Sequence, residues 1–310
     1  MKKAIMTLFL GFTGFLLLIH YGVAASYPST KNYVTPDWLA KHAGDRDIVI
    51  IDVSLTPEDY QKEHIPNALF IDWKRDLSNT AEKRYYKIVP KEGFEAVMNK
   101  IGATKNSTLI FYDNFNNRLA IRAHWVATYY GHENAKILEG GISGWKSASY
   151  ETTDKILTSP TSSYKVGKMT PEINVDKAFV KLNLWNNDVL FVDSRPWKTY
   201  TGEIPGKMIH SGLDVARRGH LPGAVSIPWK SNINEKNLFI NEDDLFKVYS
   251  NVGFSKYEVV VFYCNDGIHA AYNWFVATKI LGFKNAKIYE GSMGEWADES
   301  LLPMVSGIGF

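Results

Sequence analysis

Short apolar runs alternate along this chain with longer stretches of helical period. The runs Ile48–Asp52, Leu109-Ile110-Phe111-Tyr112, Val189–Asp193 and Val259–Tyr263 are rich in Val, Ile and aromatic residues, with no polar interruption until their ends. Such runs predict strands covered on both faces. Residues 119–130 and 270–281 carry the spacing of buried helices. Strands alternating with helices in this way predict βαβ units, and so an α/β fold with parallel sheets and helices on both faces.

The pattern is duplicated. Glu139-Gly140-Gly141 returns as Glu290-Gly291-Ser292, and Trp145 returns as Trp296, both at a shift of 151 residues. The same shift carries Asp113 onto Cys264, each directly after a strand-like run. A looser pair lies upstream, His64-Ile65-Pro66-Asn67-Ala68 against His220-Leu221-Pro222-Gly223-Ala224. Its shift of 156, against 141 from Asp52 to Asp193, puts an insertion in the second half, between residues 194 and 219. Extra loop beside a repeated core is a common seat of function. The division expected is 26–150 for the first domain, 151–171 for a Thr-, Ser- and Lys-rich joint, and 172–310 for the second.

Residues 1–25 are set aside as a secretory signal. Lys2 and Lys3 precede an apolar run over 4–19, and Val23-Ala24-Ala25 offers small residues for cleavage before Ser26. A retained anchor is the rival, since the run approaches the length that spans a bilayer; the small-residue site favours cleavage and export, periplasmic or secreted. Removing Lys2 and Lys3 takes the formal charge from +2 to 0. With no net charge, the mature chain has no long-range attraction to nucleic acid or anionic membrane. The remaining sequence offers no spanning segment, and a monomer is expected.

One cysteine in 310 residues cannot close an internal disulfide. A lone Cys is commonly a small buried hydrophobe. Its surroundings favour chemistry instead: Cys264-Asn265-Asp266-Gly267-Ile268-His269 lies between a strand and a helix expected to start near Ala270. Backbone N–H groups of such a loop converge at the positive end of the helix dipole, where an anion is stabilised. A thiolate is such an anion, so the loop is expected to lower the thiol pKa. Gly267 suits a position needing positive φ.

The duplicated set of motifs resembles the two-domain rhodanese family over nearly the whole mature chain. The resemblance implies tandem rhodanese-like domains, the N-terminal one with Asp113 where the other has a nucleophilic Cys264. It further implies transfer of sulfane sulfur from a small anionic donor to a thiol or cyanide-like acceptor through a Cys264 persulfide, without metal or cofactor. Arg195, in Asp193-Ser194-Arg195, aligns with a donor-binding position, and Asn265, Asp266, Gly267, Ile268 and His269 form the substrate-contacting loop. Arg195 has an alternative, an ion pair with an acid such as Glu203. The active pocket is expected between the halves, with the N-terminal half serving as wall.

Departures narrow the substrate. Loops that favour thiosulfate carry basic residues after Cys, whereas Asn265 and Asp266 follow here, and an acid repels a dianion. His269 would offset this if protonated, or would cap the helix. Mercaptopyruvate-using relatives offer a second Arg and a Cys-Gly loop; this chain has Glu203-Ile204-Pro205-Gly206-Lys207 and Cys264-Asn265. Arg217 and Arg218 are further cations that could serve either donor. A phosphatase of this fold needs an Arg six residues after Cys, where Ala270 stands. A non-catalytic binding module predicts a buried, unreactive Cys264. His64 and His220 are expected to hold the repeated turns, not a metal.

Overall fold

The computed structural model describes residues 32–81, 87–158 and 161–308; the expected signal segment 1–25 lies outside them. In the first half, β1 (Tyr33–Val34), β2 (Ile48–Asp52), β3 (Leu69–Phe70), β4 (Thr108–Tyr112) and β5 (Ala135–Leu138) form one parallel sheet in the order β1-β5-β4-β2-β3. The second half repeats it with β6 (Asn174–Val175), β7 (Val189–Asp193), β8 (Val225–Ser226), β9 (Val259–Tyr263) and β10 (Ala286–Tyr289), in the order β6-β10-β9-β7-β8. Three of the four strands expected from apolar runs have the predicted bounds, and the fourth, β4, begins one residue earlier at Thr108.

β4 and β9 are the central strands, with Leu109, Ile110, Phe111, Val260, Val261 and Phe262 all buried. Each ends in a tyrosine that holds the repeated His-x-Pro turn of its own half: the Ile65 N–H donates to Tyr112 Oη at 3.0 Å, and the Leu221 N–H to Tyr263 Oη at 3.2 Å. His64 and His220 do hold those turns. Their Nδ1 atoms lie 2.7 Å and 2.8 Å from the carbonyls of Tyr60 and Tyr200, on whose rings they stack. One residue past each central strand stand Asp113 and Cys264, at the carboxyl ends of their sheets, where open α/β folds place ligands.

The halves meet through two equivalent helices, Arg118–Tyr129 and Ile268–Phe275, packed on one another. One apolar core runs through both halves, including Trp125, Val126, Trp274 and Phe275. His124 sets its ring edge-on to Phe275 at 4.9 Å, and a buried ion pair joins Arg122 to Glu290 across the boundary. The second helix starts at Ile268, two residues before the expected point, because Gly267 at φ +80° turns the chain directly into it. Its expected continuation is a π-helical segment, Val276–Ile280.

Candidate active site

Cys264 is fully buried, and its position is fixed from three sides. Its own N–H donates to Ser292 Oγ at 3.0 Å, its carbonyl accepts from Met293 N–H at 3.0 Å, and Ser292 Oγ donates in turn to the Tyr289 carbonyl at 2.8 Å. Ser292 holds φ +50°, a left-handed conformation that costs a non-glycine residue about 1–2 kcal/mol. The first half has Gly141 at the equivalent place, φ +58°. The hydroxyl that holds the cysteine loop is what the strained serine supplies.

The N–H groups of Asp266, His269 and Ala270 are directed at the sulfur. Asp113 shows what this cradle holds when the side chain is already an anion. Its Oδ1 accepts from Phe115 and Asn117 N–H at 2.6 and 2.8 Å, and its Oδ2 from Leu119 and Ala120 N–H at 2.8 and 2.9 Å. At the shift of 151, Phe115 and Leu119 correspond to Asp266 and Ala270. The two halves therefore build similar rings of amides that share two equivalent positions, one closed around a carboxylate and the other around a thiol.

The expectation of a lowered thiol pKa is corrected. Burial pushes Cys264 up to about 11, the Asp266 carboxylate adds to the rise, and the three amides oppose it without prevailing. The thiol lies 3.8 Å from Asp266 Oδ1, placed to donate to it. Asp266 does not face outward toward a donor. Burial opposes its ionisation, but the Ile209 N–H at 2.5 Å and His210 Nδ1 at 3.3 Å from Oδ2 outweigh this and hold its carboxyl below the usual range.

Those partners belong to the insertion. Residues 206–215 fold back on themselves through Met208 N–H to the Leu213 carbonyl (2.9 Å) and Val215 N–H to the Gly206 carbonyl (2.7 Å). The segment then lies on the cysteine loop. Asn265 Nδ2 donates to the Lys207 carbonyl at 2.9 Å, and Met208 is buried against Gly294. A Cβ on Gly206 would come within 2.4 Å of Asn265 Oδ1, so any larger residue there would push the Asn265 side chain aside.

Arg195 is not displayed as an open clamp for a donor. It is buried, with Nε and Nη2 bonded to Asp193 (2.9 and 2.6 Å), Nη2 also to the Gly219 carbonyl (2.7 Å), and Nη1 3.4 Å from Asn265 Oδ1. Its acid partner is Asp193, two residues back, and not Glu203. It braces the cysteine loop through Asn265. Arg217 donates to the carbonyls of Ala297, Leu302, Trp296 and Glu299 and ties down the C-terminal segment. His269 is held neutral, since burial takes its pKa down to about 3, and it cannot offset Asp266 by protonation near neutrality. Gly267 and Ile268 shape the turn and the helix start. Among the described residues no group of three His, Cys, Asp or Glu could hold a metal ion.

Sequence reasoning missed three residues that the structure brings to this site: Ser292, His210 and Arg118, the last reaching His269 from the N-terminal half.

The two copies of this architecture match the rhodanese-like domain over residues 35–148 and 176–299. The chain belongs to the rhodanese-like domain family. It is similar to a protein of Haloferax volcanii named putative thiosulfate sulfurtransferase, 28% identical over 88% of this chain and 96% of that one. It is also similar to the sulfur carrier protein TtuD of Thermus thermophilus, 27% identical over 91% of this chain and 99% of that one. Among solved structures, SseA from Escherichia coli, described with the fold and mechanism of 3-mercaptopyruvate sulfotransferases, superposes with a TM-score of 0.74 at 29% identity. That superposition covers 85% of this chain and 99% of SseA, so the rhodanese resemblance spans both halves.

Proposed function

We propose that Cys264 is the sulfur carrier of this sulfurtransferase, taking sulfane sulfur from an anionic donor of the thiosulfate type. The observation that carries this reading is the ring of amides around Sγ, which the other half repeats around a resident carboxylate.

Asp113 reaches further from the backbone than a bare thiol, and both its oxygens are met by N–H groups. A persulfide on Cys264 is likewise one atom longer than the thiol and carries its charge at the tip. The cradle therefore suits the loaded form better than the resting one, where burial keeps a neutral thiol. Charge-assisted bonds from amides contribute about 1.5–3 kcal/mol each. With thiosulfate, the Cys264 thiolate attacks the outer sulfur, a new S–S bond forms, and sulfite departs with the electron pair of the broken one. The proton that the thiol gives up in forming the thiolate leaves with sulfite as hydrogen sulfite, and the persulfide stays anionic. Cyanide or a thiolate then attacks the outer persulfide sulfur, and the Cys264 thiolate is regenerated as leaving group.

The thiol is sealed at rest, so segment 206–215 must shift to admit a donor; its contacts with Asn265 and Asp266 are the ones that give way. Export as a monomer, with catalysis by residues 172–310 against the N-terminal half, completes the reading.

The test is donor loading of the purified mature chain with thiosulfate and, in parallel, 3-mercaptopyruvate. Intact-mass measurement should show a gain of one sulfur, about 32 Da, lost on adding cyanide and absent in Cys264→Ser. A wild-type chain that gains no sulfur from either donor overturns the reading in favour of a binding module.

A further inference from the structure

We infer that Arg118, carried by the N-terminal half, is the cation that receives the anionic group of the sulfur donor at Cys264. The inference rests on the sulfurtransferase reading and changes the part played by the N-terminal half, from wall to binding partner.

Arg118 opens the helix Arg118–Tyr129 of the first half, yet its Nη1 lies 3.2 Å from Nε2 of His269 in the second. The two are related by the repeat, 118 plus 151 giving 269, so they meet where the equivalent helices pack. The amide of His269 is one of the three directed at the sulfur. The guanidinium therefore lies against the side chain of a residue whose own amide belongs to the cradle.

Its placement is rigid. The guanidinium carbon lies 3.3 Å from the centre of the Phe115 ring and 4.8 Å from that of Trp229, and Nε donates to the Phe115 carbonyl at 3.1 Å. Aromatic faces hold a guanidinium without neutralising it. Among the described residues no carboxylate lies within ion-pair distance of Arg118, whereas Arg122 is paired with Glu290 and Arg195 with Asp193. Burial lowers its pKa to about 10, so it keeps its charge at neutral pH. Asp266, which touches the thiol, is one of the two carboxylates that support that charge. A half-buried cation, fixed by rings and lacking an acid of its own, fits the sulfonate or carboxylate end of a small donor.

Two measurements on the full mature chain test this, with Arg118→Gln and Arg118→Lys. The first is the rate of Cys264 alkylation by iodoacetate relative to neutral iodoacetamide, which needs no turnover. The second is KM and kcat for thiosulfate. Arg118→Gln should lower the iodoacetate-to-iodoacetamide ratio at least fivefold and raise KM at least tenfold with little change in kcat, and Arg118→Lys should recover part of both. An unchanged ratio, or an equal fall with both reagents, overturns the assignment and leaves Arg118 a structural brace. A lowered ratio with unchanged KM also overturns it, because the anion site then does not serve the donor. A wild-type chain without turnover sinks the sulfurtransferase reading by itself, while the alkylation ratio still reports whether the cation acts on anions.

Discussion

Replacing Asp266 with Asn removes one negative charge from beside the sulfur and should make Cys264 a stronger nucleophile. The carboxylate oxygen lies 3.8 Å from Sγ. At an effective dielectric of about 20, two unit charges at that distance repel by about 4 kcal/mol, equivalent to about three pKa units. The Ile209 amide and His210 already draw part of that charge toward Oδ2, so the expected fall is smaller, roughly one to two units. The starting point is a thiol pushed up to about 11. At pH 7 the thiolate fraction should therefore rise roughly 10- to 100-fold. The assay is the rate of iodoacetamide alkylation between pH 6 and 11. Its midpoint reports the thiol pKa and its high-pH plateau reports access, which separates the charge effect from any loosening of segment 206–215. Loading by thiosulfate should quicken in parallel, because more of Cys264 is present as the attacking thiolate. A midpoint that stays in place or moves upward, with only the plateau raised, would show that Asp266 acts as a latch for the segment and not through its charge.

Two further outcomes follow from buried groups away from the thiol. Asp113→Ala strips the partner from four N–H groups; at 1–3 kcal/mol for each buried group left unsatisfied, offset by entering water, a net loss of about 3 kcal/mol is expected, seen as a fall in Tm of roughly 6–12 °C, and an unchanged Tm would refute the cradle around the carboxylate. Burial holds His124 at a pKa of about 3, below its unfolded value of 6.5. Its neutral form thus adds stability above pH 6.5 that is lost as pH falls toward 3, about 5 kcal/mol over that window. His124→Gln should flatten the acid limb of a urea-unfolding series by about that amount.

The strands were legible because both faces of a parallel sheet are covered, which leaves an uninterrupted apolar run such as Val259–Tyr263. The repeat was legible because both halves keep the same turn chemistry after β5 and β10. Directions of electrostatic shift were not. Counting amides from a strand-loop-helix pattern predicts a depressed thiol pKa, but what opposes it, complete burial and a carboxylate at 3.8 Å, depends on how segment 206–215 closes. Arg195 reads from the sequence as a donor-binding cation, with an ion pair to an acid such as Glu203 as the alternative; the turn after β7 instead folds its guanidinium back onto Asp193, at 2.6 Å. Arg118 and His269 meet across the halves, a contact invisible to local periodicity. The repeat held a clue to it, since residues related by the shift face each other wherever equivalent helices cross. Ser292 had a clue as well: it stands where the first half has glycine at positive φ, and a side chain accepted there must supply a contact worth the strain.

Why one half kept a thiol and the other a carboxylate follows from the same cradle. A ring of buried amides needs an anion, and an empty or neutral occupant leaves donors short of acceptors. In the first half Asp113 satisfies the ring permanently; burial raises its carboxyl pKa, while four N–H groups oppose that rise. In the second half the ring surrounds a thiol that burial and Asp266 keep protonated, so its donors are fully used only once the sulfur carries charge. The resting site is thereby the less satisfied of the two, and a persulfide would bring it close to the condition of its twin. On the proposed reading, Asp113 marks the end state toward which loading would drive Cys264, and the difference between the halves is a difference in when the anion arrives.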